Sequence, residues 1–232
     1  MSGMAMALVP ARAGSRRLPG KNLRLIHGRS LVCWAVEHGL MAENVIRVAV
    51  STEDGEIAAE ARNAGASLIS RPPELASDDT GMIDVALHAA ETLELDDSDL
   101  MVVLQPTSPL RLVSDVETCV SKVAQGGYGS AISVTPARVH PYKMLEVRDA
   151  DALTPFMGIE PFRATEGHPA MAPMALQPNG AVFVVRVGTL RAVRSFYAAP
   201  CYGHVMPPER SVDIDYGPDL RLAEVLMEER FG

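Results

Sequence analysis

The chain has 232 residues, of which 47% are hydrophobic and 22% charged, and its formal net charge is −8 at pH 7. This length and apolar content suffice for one large domain with a substantial core, and they exclude an intrinsically disordered chain. The acidic balance disfavours a nucleic-acid-binding protein. No apolar run approaches the roughly 18 residues that a membrane helix needs, so no membrane association is expected.

The N-terminus and the cysteines predict a cytoplasmic protein. In MSGMAMALVPARAGSRR the basic residues follow the apolar stretch, which is the reverse of a secretory signal. Cys33, Cys119 and Cys201 are odd in number and far apart, and their spacing fits neither a metal site nor a disulfide framework. A reducing compartment is therefore expected.

Short apolar runs alternate with amphipathic stretches through the first part of the chain. The pattern predicts strands over residues 4–10, 45–52, 67–70 and 100–105, and helices over 30–43, 54–64, 82–93 and 113–125. Continuous Val, Leu and Ile strands separated by helices form right-handed βαβ units. The predicted fold class is therefore α/β, with a doubly wound, mostly parallel sheet.

The pattern changes near residue 134. Residues 135–178 contain seven prolines and few periodic elements, which predicts an inserted arm at about 135–178, with a hairpin around 142–147. A strand over 179–187 and a closing helix over 217–230 follow. We interpret residues 1–232 as a single domain that carries this arm.

Positive charge is concentrated near the N-terminus, where no acidic residue precedes Glu37. A compact basic segment in an acidic protein favours a small anion as ligand, with a solvated basic surface loop as the alternative. The basic residues of this segment are Arg12, Arg16, Arg17, Lys21, Arg24 and Arg29.

The loop after the first strand, PARAGSRRLPGKN, is placed where nucleotide phosphates bind in such sheets. It is not a Walker A loop, because five residues separate Gly14 from Gly20 and Asn22 stands where Ser or Thr would hold magnesium; nor does it match GxGxxG. What remains is a turn at Gly14 and Ser15 that offers backbone N–H groups, with Arg12 and Lys21 as charged donors to a triphosphate.

Polar residues also follow two other predicted strands. Gln105, Thr107 and Ser108 are expected to project into the ligand crevice, where they suit a polyhydroxylated sugar or a cytosine edge. The alternative is an ordinary Pro-containing turn. Arg71 would face nucleotide phosphate or base, or else be a surface arginine.

Two carboxylates near the C-terminus form a candidate metal site. Asp213 and Asp215 share one face of an extended segment while Ile214 faces the core. One or two carboxylates together with substrate phosphates are what Mg²⁺ prefers, and Mn²⁺ is an alternative. The competing interpretation is an acidic turn before the last helix, with Asp219 near the N-terminus of that helix.

Seven ordered motifs resemble the sugar-activating cytidylyltransferases. They are VPARAGSRRLPGKNL, STEDGEIAAEARNAGA, RPPELASDDT, LQPTSPLR, HPYKM, NGAVFV and DIDYGPDLRLAE, and they run over essentially the whole chain. The resemblance is strongest to the acylneuraminate branch, with the 3-deoxy-manno-octulosonate enzymes as more distant relatives. It implies a Rossmann-like nucleotidyltransferase that couples CTP to an acidic nine-carbon sugar, releases pyrophosphate and assembles as a homodimer through the arm.

The resemblance also implies roles for individual residues. Catalysis is expected of Arg12, Lys21, Asp213 and Asp215, the last two binding the metal. Nucleotide binding is expected of Ala11, Arg12, Ala13, Gly14, Ser15, Lys21, Asn22, Arg71 and Ser77. Sugar binding is expected of Gln105, Thr107, Ser108, Lys143 and Asn179.

The chain departs from the family pattern before NGAVFV. The acylneuraminate enzymes often have an Arg-Gln-acidic-Leu-Pro-like stretch there, which supplies an arginine to the sugar carboxylate; residues 162–178 lack it, and Arg163 is a candidate substitute. This leaves open an octulosonate substrate or another NTP. A non-catalytic nucleotide-sugar-binding relative is a further alternative, although the loop lysine and the acidic pair are both retained.

Overall fold

The computed structural model describes residues 3–77, 79–148, 151–167 and 172–231, and the chain divides into two compact units. The core unit comprises Met1–Val134 and Pro178–Gly232, and the arm unit comprises Thr135–Gln177. The arm unit covers nearly the same residues as the arm expected from the sequence. Residues 149, 150 and 168–171 of that expected arm lie outside the described part of the chain.

The elements follow the expected alternation of strand and helix. The strands are β1 (Ala5–Pro10), β2 (Leu25–Ile26), β3 (Arg29–Ser30), β4 (Arg47–Thr52), β5 (Ser67–Ser70), β6 (Leu100–Val103), β7 (Ser130–Pro136), β8 (Leu145–Arg148), β9 (Ala152–Pro155), β10 (Leu176–Arg186) and β11 (Cys201–Val205). The helices are α1 (Leu31–Met41), α2 (Gly55–Asn63), α3 (Met82–Thr92), α4 (Val113–Gln125), α5 (Ile159–Gly167), α6 (Val187–Val193) and α7 (Gly217–Phe231).

One seven-stranded sheet has the order β11-β7-β10-β6-β1-β4-β5. Strand β1 pairs in parallel with β4 and β6, and β4 pairs in parallel with β5. This confirms the predicted mostly parallel α/β sheet. Strand β10 differs, because it runs antiparallel to β6; it enters the sheet from the arm segment instead of from a crossover helix, which a parallel neighbour would require.

Helices cover both faces of the sheet. Along β1, Ala5, Ala7 and Val9 pack with α1, α2 and α4 on one face, while Met6 and Leu8 pack with α3 and α6 on the other. This alternation follows from the two-residue period of a strand, and it explains why the central strands are apolar throughout. A third cluster packs α7 against β2 and the start of α1, and it contains Trp34 and Ile214.

The main helices begin where the sequence predicts them to begin, but one short element does not lie where it was predicted. Ser30 and Asp54 cap α1 and α2 by accepting backbone N–H groups through their side chains. The hairpin predicted at 142–147 is wrong in position: Pro141 begins a 3₁₀ turn, Pro141–Lys143, and the hairpin is formed by β8 and β9. In the described residues no helix is long and apolar enough to cross a membrane.

A buried ionic cluster joins α4, β11 and the 3₁₀ turn Pro208–Arg210. We call Asp115, His204 and Arg210 the Asp115 cluster. The Asp115 carboxylate, 5% exposed, accepts bonds from Leu112 N–H at 2.7 Å and from both terminal nitrogens of Arg210, while His204 Nε2 lies 2.9 Å from Oδ1. Burial alone would raise the pKa of Asp115, but hydrogen bonds from His204, Arg210 and Leu112 outweigh it and lower the pKa to about 2.

We expect Asp115→Asn to lower the free energy of unfolding by about 2 kcal/mol at pH 7, because a depressed carboxyl pKa stabilises the fold above the unfolded-state pKa. This stabilisation is lost as the pH falls from about 4 towards 2, so the difference between variant and parent should shrink at pH 3. Denaturant unfolding at both pH values measures it. As a control, Asp97→Asn, which removes an exposed ion pair with Arg191, should change stability by less than about 0.5 kcal/mol. An equal loss for Asp115→Asn at both pH values would contradict the prediction.

Candidate active site

An open cleft of about 350 Å³ lies where β1, β5 and β6 end. In a parallel sheet the carboxyl ends of neighbouring strands share one edge, so the loops that follow them meet there. The lining residues are Pro10, Arg12, Lys21, Asn22, Arg71, Leu75, Ser77, Thr80, Met82, Val85, Gln105, Pro106, Thr107, Asp213 and Asp215. All four residues expected to be catalytic are therefore in this cleft.

The loop after β1 is shaped by glycine and by one internal amide. Gly20 adopts φ +64°, a left-handed conformation that favours glycine, and the 3₁₀ turn Lys21–Leu23 begins directly after it. The buried Asn22 side chain donates to Arg12 O at 2.9 Å, which closes the base of the loop. Asn22 thus positions the loop in addition to lining the cleft.

Arg12 and Arg71 bring positive charge to the β1 and β5 side of the cleft. The Arg12 guanidinium donates to Ala76 O at 3.2 Å. Arg71 is only 5% exposed and donates to the side chain and the carbonyl of Ser51. Burial lowers the pKa of Arg71, opposed by the charge of Glu53 and assisted by that of Arg12.

The Asp215 carboxylate is held by two cations. Lys21 Nζ lies 3.1 Å from Oδ1, and Arg17 donates to Oδ2 at 2.7 Å. The Arg17 guanidinium also lies over the Tyr216 ring, 5.6 Å from its centre. The basic loop and the acidic segment therefore contact each other directly, which the sequence did not predict for Arg17.

Asp213, two residues away, lies in a different environment. Asp213 is an exposed residue of the cleft, yet desolvation by the surrounding protein raises the pKa of its carboxyl group. The charges of Asp215 and Asp219 also raise this pKa, while a hydrogen bond from Thr107 and the charge of Lys21 lower it. The intervening Ile214 is fully buried, and its N–H donates to Thr107 O at 2.9 Å. The expected arrangement, with both carboxylates on one side and Ile214 in the core, is present.

The Gln105 side chain lies against β10 at a position where only glycine leaves room for it. A Cβ at Gly180, whose φ is +76°, would lie 2.5 Å from Gln105 Oε1, so no side chain fits there without displacing the amide. Ser108 and Asn179, expected to bind sugar, are 1% and 4% exposed and do not line the cleft. Ser108 donates to Asn179 O, and the Asn179 amide donates to Ser211, so these two side chains support the cleft wall from behind.

The other predicted site residues lie around the cleft or outside it. Ala11 is buried and donates its N–H to Ser51 O, whereas the Ala13 N–H donates to Glu53 at 2.8 Å. Gly14 and Ser15 line a shallow depression next to the cleft, which Arg12 and Ser77 also line.

Lys143 belongs to the arm unit, where it is exposed. Arg163, in the same unit, is also exposed and lies 3.7 Å from Glu160.

The donor chemistry of the cleft fits a hard divalent cation shared with a substrate. No group of three or more His, Cys, Asp or Glu side chains that could hold a metal occurs among the described residues. Asp213 and Asp215 supply only carboxylate oxygens. Mg²⁺ accepts one or two carboxylates and completes its shell with water and substrate phosphates.

Sequence reasoning missed several residues that shape the site. Arg111 is fully buried and donates to Gln105 O and Ala181 O, and Glu53 holds the first loop through Ala13. The only signal for Arg17 was its membership of the basic segment. Arg111 also binds Ala181, and Arg210 binds Asp115; both of these partners are far away in sequence, so only the folded chain could reveal them.

A sequence model described as cytidylyltransferase matches residues 6–162 of this chain. The N-acylneuraminate cytidylyltransferase of Escherichia coli O18:K1:H7 is 27% identical over 227 residues, which cover 97% of this chain but 52% of the relative. The chain thus spans about half the length of that protein. The CMP-N,N'-diacetyllegionaminic acid synthase of Legionella pneumophila is 31% identical, with 96% of each chain covered.

Two solved structures share the fold. A CMP:2-keto-3-deoxy-manno-octonic acid synthetase complexed with CTP superposes with a TM-score of 0.72 at 18% identity, covering 98% of this chain and 100% of the other. A 4-diphosphocytidyl-2C-methyl-D-erythritol synthase superposes with a TM-score of 0.68 at 11% identity, with the same coverage.

We expect Asp213→Asn to unfold at the same or a higher temperature than the parent at pH 7.5 in EDTA. Because the fold raises the pKa of Asp213, the ionised carboxylate destabilises the native state above that pKa, and the neutral amide removes this cost. The matched variant Asp219→Asn should lose about 0.3–1 kcal/mol, since Asp219 accepts the N–H groups of Asp215 and Tyr216 at the start of α7. Thermal unfolding of both variants measures the difference; a clearly lower Tm for Asp213→Asn would contradict it.

Proposed function

Because this chain belongs to the cytidylyltransferase family, and within it to the CMP-nonulosonate synthetases, we propose that it couples CTP to an acidic nine-carbon sugar and releases pyrophosphate. The anomeric hydroxyl oxygen forms a bond to the α-phosphorus of CTP. The bond from that phosphorus to the bridging oxygen of the β-phosphate breaks, and the hydroxyl proton is released.

One observation carries this proposal. The cleft places the cationic groups of Arg12 and Lys21 and the paired carboxylates of Asp213 and Asp215 around a single opening. Phosphoryl and nucleotidyl transfer need little covalent work from a protein, so positioning and charge neutralisation dominate the rate. Cations suit the triphosphate, and the carboxylates suit a counter-ion that the triphosphate also binds.

The residues of the chain divide this work according to their surroundings. Arg12 and Lys21 bind triphosphate oxygens, and the N–H groups of Gly14 and Ser15 extend that contact along the loop. Arg71, fixed by Ser51, presents its remaining surface to the nucleotide. Gln105 and Thr107 offer amide and hydroxyl groups to the sugar hydroxyls.

Asp213 and Asp215 would hold Mg²⁺, or Mn²⁺ in its place. When bound, the ion neutralises charge that develops on the phosphates during transfer. Asp215 is bound by Lys21 and Arg17 in this structure, and Asp213 is kept at a raised pKa by its surroundings. Both carboxylates are thus suited to exchange their present partners for a cation that arrives with the substrate.

The substrate assignment is tested by pyrophosphate release with each of the four NTPs and a panel of acidic sugars that includes acylneuraminate, a legionaminate-type nonulosonate and 3-deoxy-manno-octulosonate. We expect CTP with a nonulosonate to give the highest kcat/KM. The 31% identity to the legionaminate enzyme over 96% of both chains supports this choice. A preference for the octulosonate or for another NTP would replace this substrate assignment. If no pair of substrates gave pyrophosphate, the proposed enzymatic activity would be refuted.

We expect Lys21→Ala to lower kcat/KM for CTP by about 100-fold or more, because a charged donor to the phosphates is lost. Folding should be little affected, since Asp215 keeps its ion pair with Arg17 when Lys21 is removed. Lys122→Ala is the matched control: Lys122 is on α4, contacts the Tyr202 ring and does not line the cleft. Steady-state kinetics and thermal unfolding of both variants test this prediction. An unchanged kcat/KM for Lys21→Ala would rule out phosphate binding by Lys21.

We also propose that the arm unit mediates a homodimer. Its β8–β9 hairpin pairs Leu145 with Pro155 and Val147 with Leu153. These residues lie on one face of the hairpin, and Val147 and Leu153 are 65% and 64% exposed. An apolar face on a two-stranded hairpin needs a partner surface, and a second copy of the chain would provide one.

We expect a Val147→Lys, Leu153→Lys double variant to be monomeric by light scattering and to use the acidic sugar poorly, because charge on the apolar face prevents its burial. Thr154→Lys is the control, since Thr154 pairs with Glu146 on the opposite face of the hairpin and there receives one of the same substitutions. A deletion of residues 147–172 should have the same effect as the double variant. A full-length protein that is monomeric and fully active would contradict the proposal.

A further inference from the structure

The acidic segment of the cleft is fixed by a buried network that the proposed chemistry does not use. Arg210 lies three residues before Asp213, at the end of the 3₁₀ turn Pro208–Arg210. Its two terminal nitrogens bind the two oxygens of Asp115 as a fork, and its side chain is 23% exposed. Such a planar, bidentate pair specifies orientation as well as position.

Asp115, which accepts this fork, is itself held by other contacts. The Asp115 carboxylate also accepts Leu112 N–H, which fixes it to the first turn of α4, and it contacts His204 on β11. Four residues earlier in the chain, Arg111 donates to Gln105 O at the end of β6 and to Ala181 O on β10. One short segment, residues 111–115, therefore connects the cleft wall at Gln105 with the turn that precedes the acidic segment.

Two further contacts hold the acidic segment itself. The Ser211 hydroxyl donates to Pro207 O and accepts from the Asn179 amide at 2.9 Å. At the other end, Ile214 N–H donates to Thr107 O at 2.9 Å. Residues 211–215 are thus held on both sides of Asp213. The Arg210 fork is the charged contact on the N-terminal side, and the ion pairs of Asp215 with Lys21 and Arg17 are the charged contacts on the other.

We propose that Arg210, acting through Asp115, is a positioning residue that holds residues 211–215 so that the Asp213 and Asp215 carboxylates face the cleft together. This inference rests on the proposed function for its kinetic consequences. It does not depend on that function for its structural consequence, which concerns the acidic segment alone.

A control arginine separates a positioning role of Arg210 from a general contribution to stability. If Arg210 served stability alone, any arginine that joins separate backbone segments would be equivalent. Arg186 is such a residue, because it donates to Ser98 O and Val123 O and does not line the cleft. Arg186→Gln is therefore the matched control for Arg210→Gln.

The first measurement is hydrogen exchange of the amides of residues 211–215 in the full-length protein, with no substrate or metal added. We expect Arg210→Gln to exchange faster there than the parent, by about 10-fold or more at the Ile214 amide, because the segment is released from Asp115. Arg210→Lys keeps the charge but loses the fork, so its exchange should be intermediate. Arg186→Gln should leave this segment at the parent rate even where its Tm falls by a similar amount.

The second measurement separates binding from turnover. We expect Arg210→Gln to lower kcat by about 10-fold or more while the KM for CTP stays within about twofold, because misplaced carboxylates affect the transition state more than nucleotide binding. The Mg²⁺ concentration for half-maximal rate should rise, and Arg210→Lys should recover part of the rate. Arg186→Gln should keep the parent kcat and Mg²⁺ response.

These measurements separate a failure of the Arg210 proposal from a failure of the proposed function. Parent-like exchange of residues 211–215 in Arg210→Gln overturns the proposal whatever the activity. Faster exchange with an unchanged kcat and Mg²⁺ response in an active enzyme overturns it too, because the segment would then not need to be held. If the parent releases no pyrophosphate with any substrate pair, the proposed function fails, and hydrogen exchange alone decides whether Arg210 holds the acidic segment.

Discussion

The parallel pairing of β1 with β4 and β6 decides where the cleft lies. Strands β1 and β6 are buried on both faces, so they are apolar throughout, and polar residues come only after each of them ends. Because parallel strands end at the same edge, the loops that carry Arg12 and Gln105 are neighbours although 93 positions separate them in the sequence. The antiparallel β10 then adds Gly180, whose missing side chain leaves room for the Gln105 amide.

The electrostatics of the cleft are unevenly balanced. Asp215 is neutralised by Lys21 and Arg17, whereas Asp213 has a raised pKa caused by desolvation and by neighbouring carboxylates. Ionisation of Asp213 is therefore less favourable in the folded cleft than in the unfolded chain. This is expected where charges are arranged for a ligand, because a cation and a triphosphate would relieve the repulsion when they bind.

Several polar residues of the recognisable motifs support the site without lining it. Ser108 and Arg111 in LQPTSPLR, and Asn179 in NGAVFV, are buried and bonded to other parts of the core unit. A buried polar group must be satisfied by partners, so these residues fix the relative positions of β6, β10 and the segment before α7. The motifs thus combine residues that face the ligand with residues that hold the cleft in shape.

The sequence by itself determined the α/β fold, the positions of the main strands and helices, and the five charged residues that line the cleft. It could do so because hydrophobic periodicity and turn residues are local signals, and because the i and i+2 residues of an extended segment share a face. The sequence failed where partners are distant. It did not separate Ser108 and Asn179 from the ligand-facing residues, and it gave no role to Arg17, Arg111 or Arg210. Only the tertiary structure decided these, because a hydrogen bond such as that from Arg210 to Asp115 joins residues 95 positions apart and has no local signature.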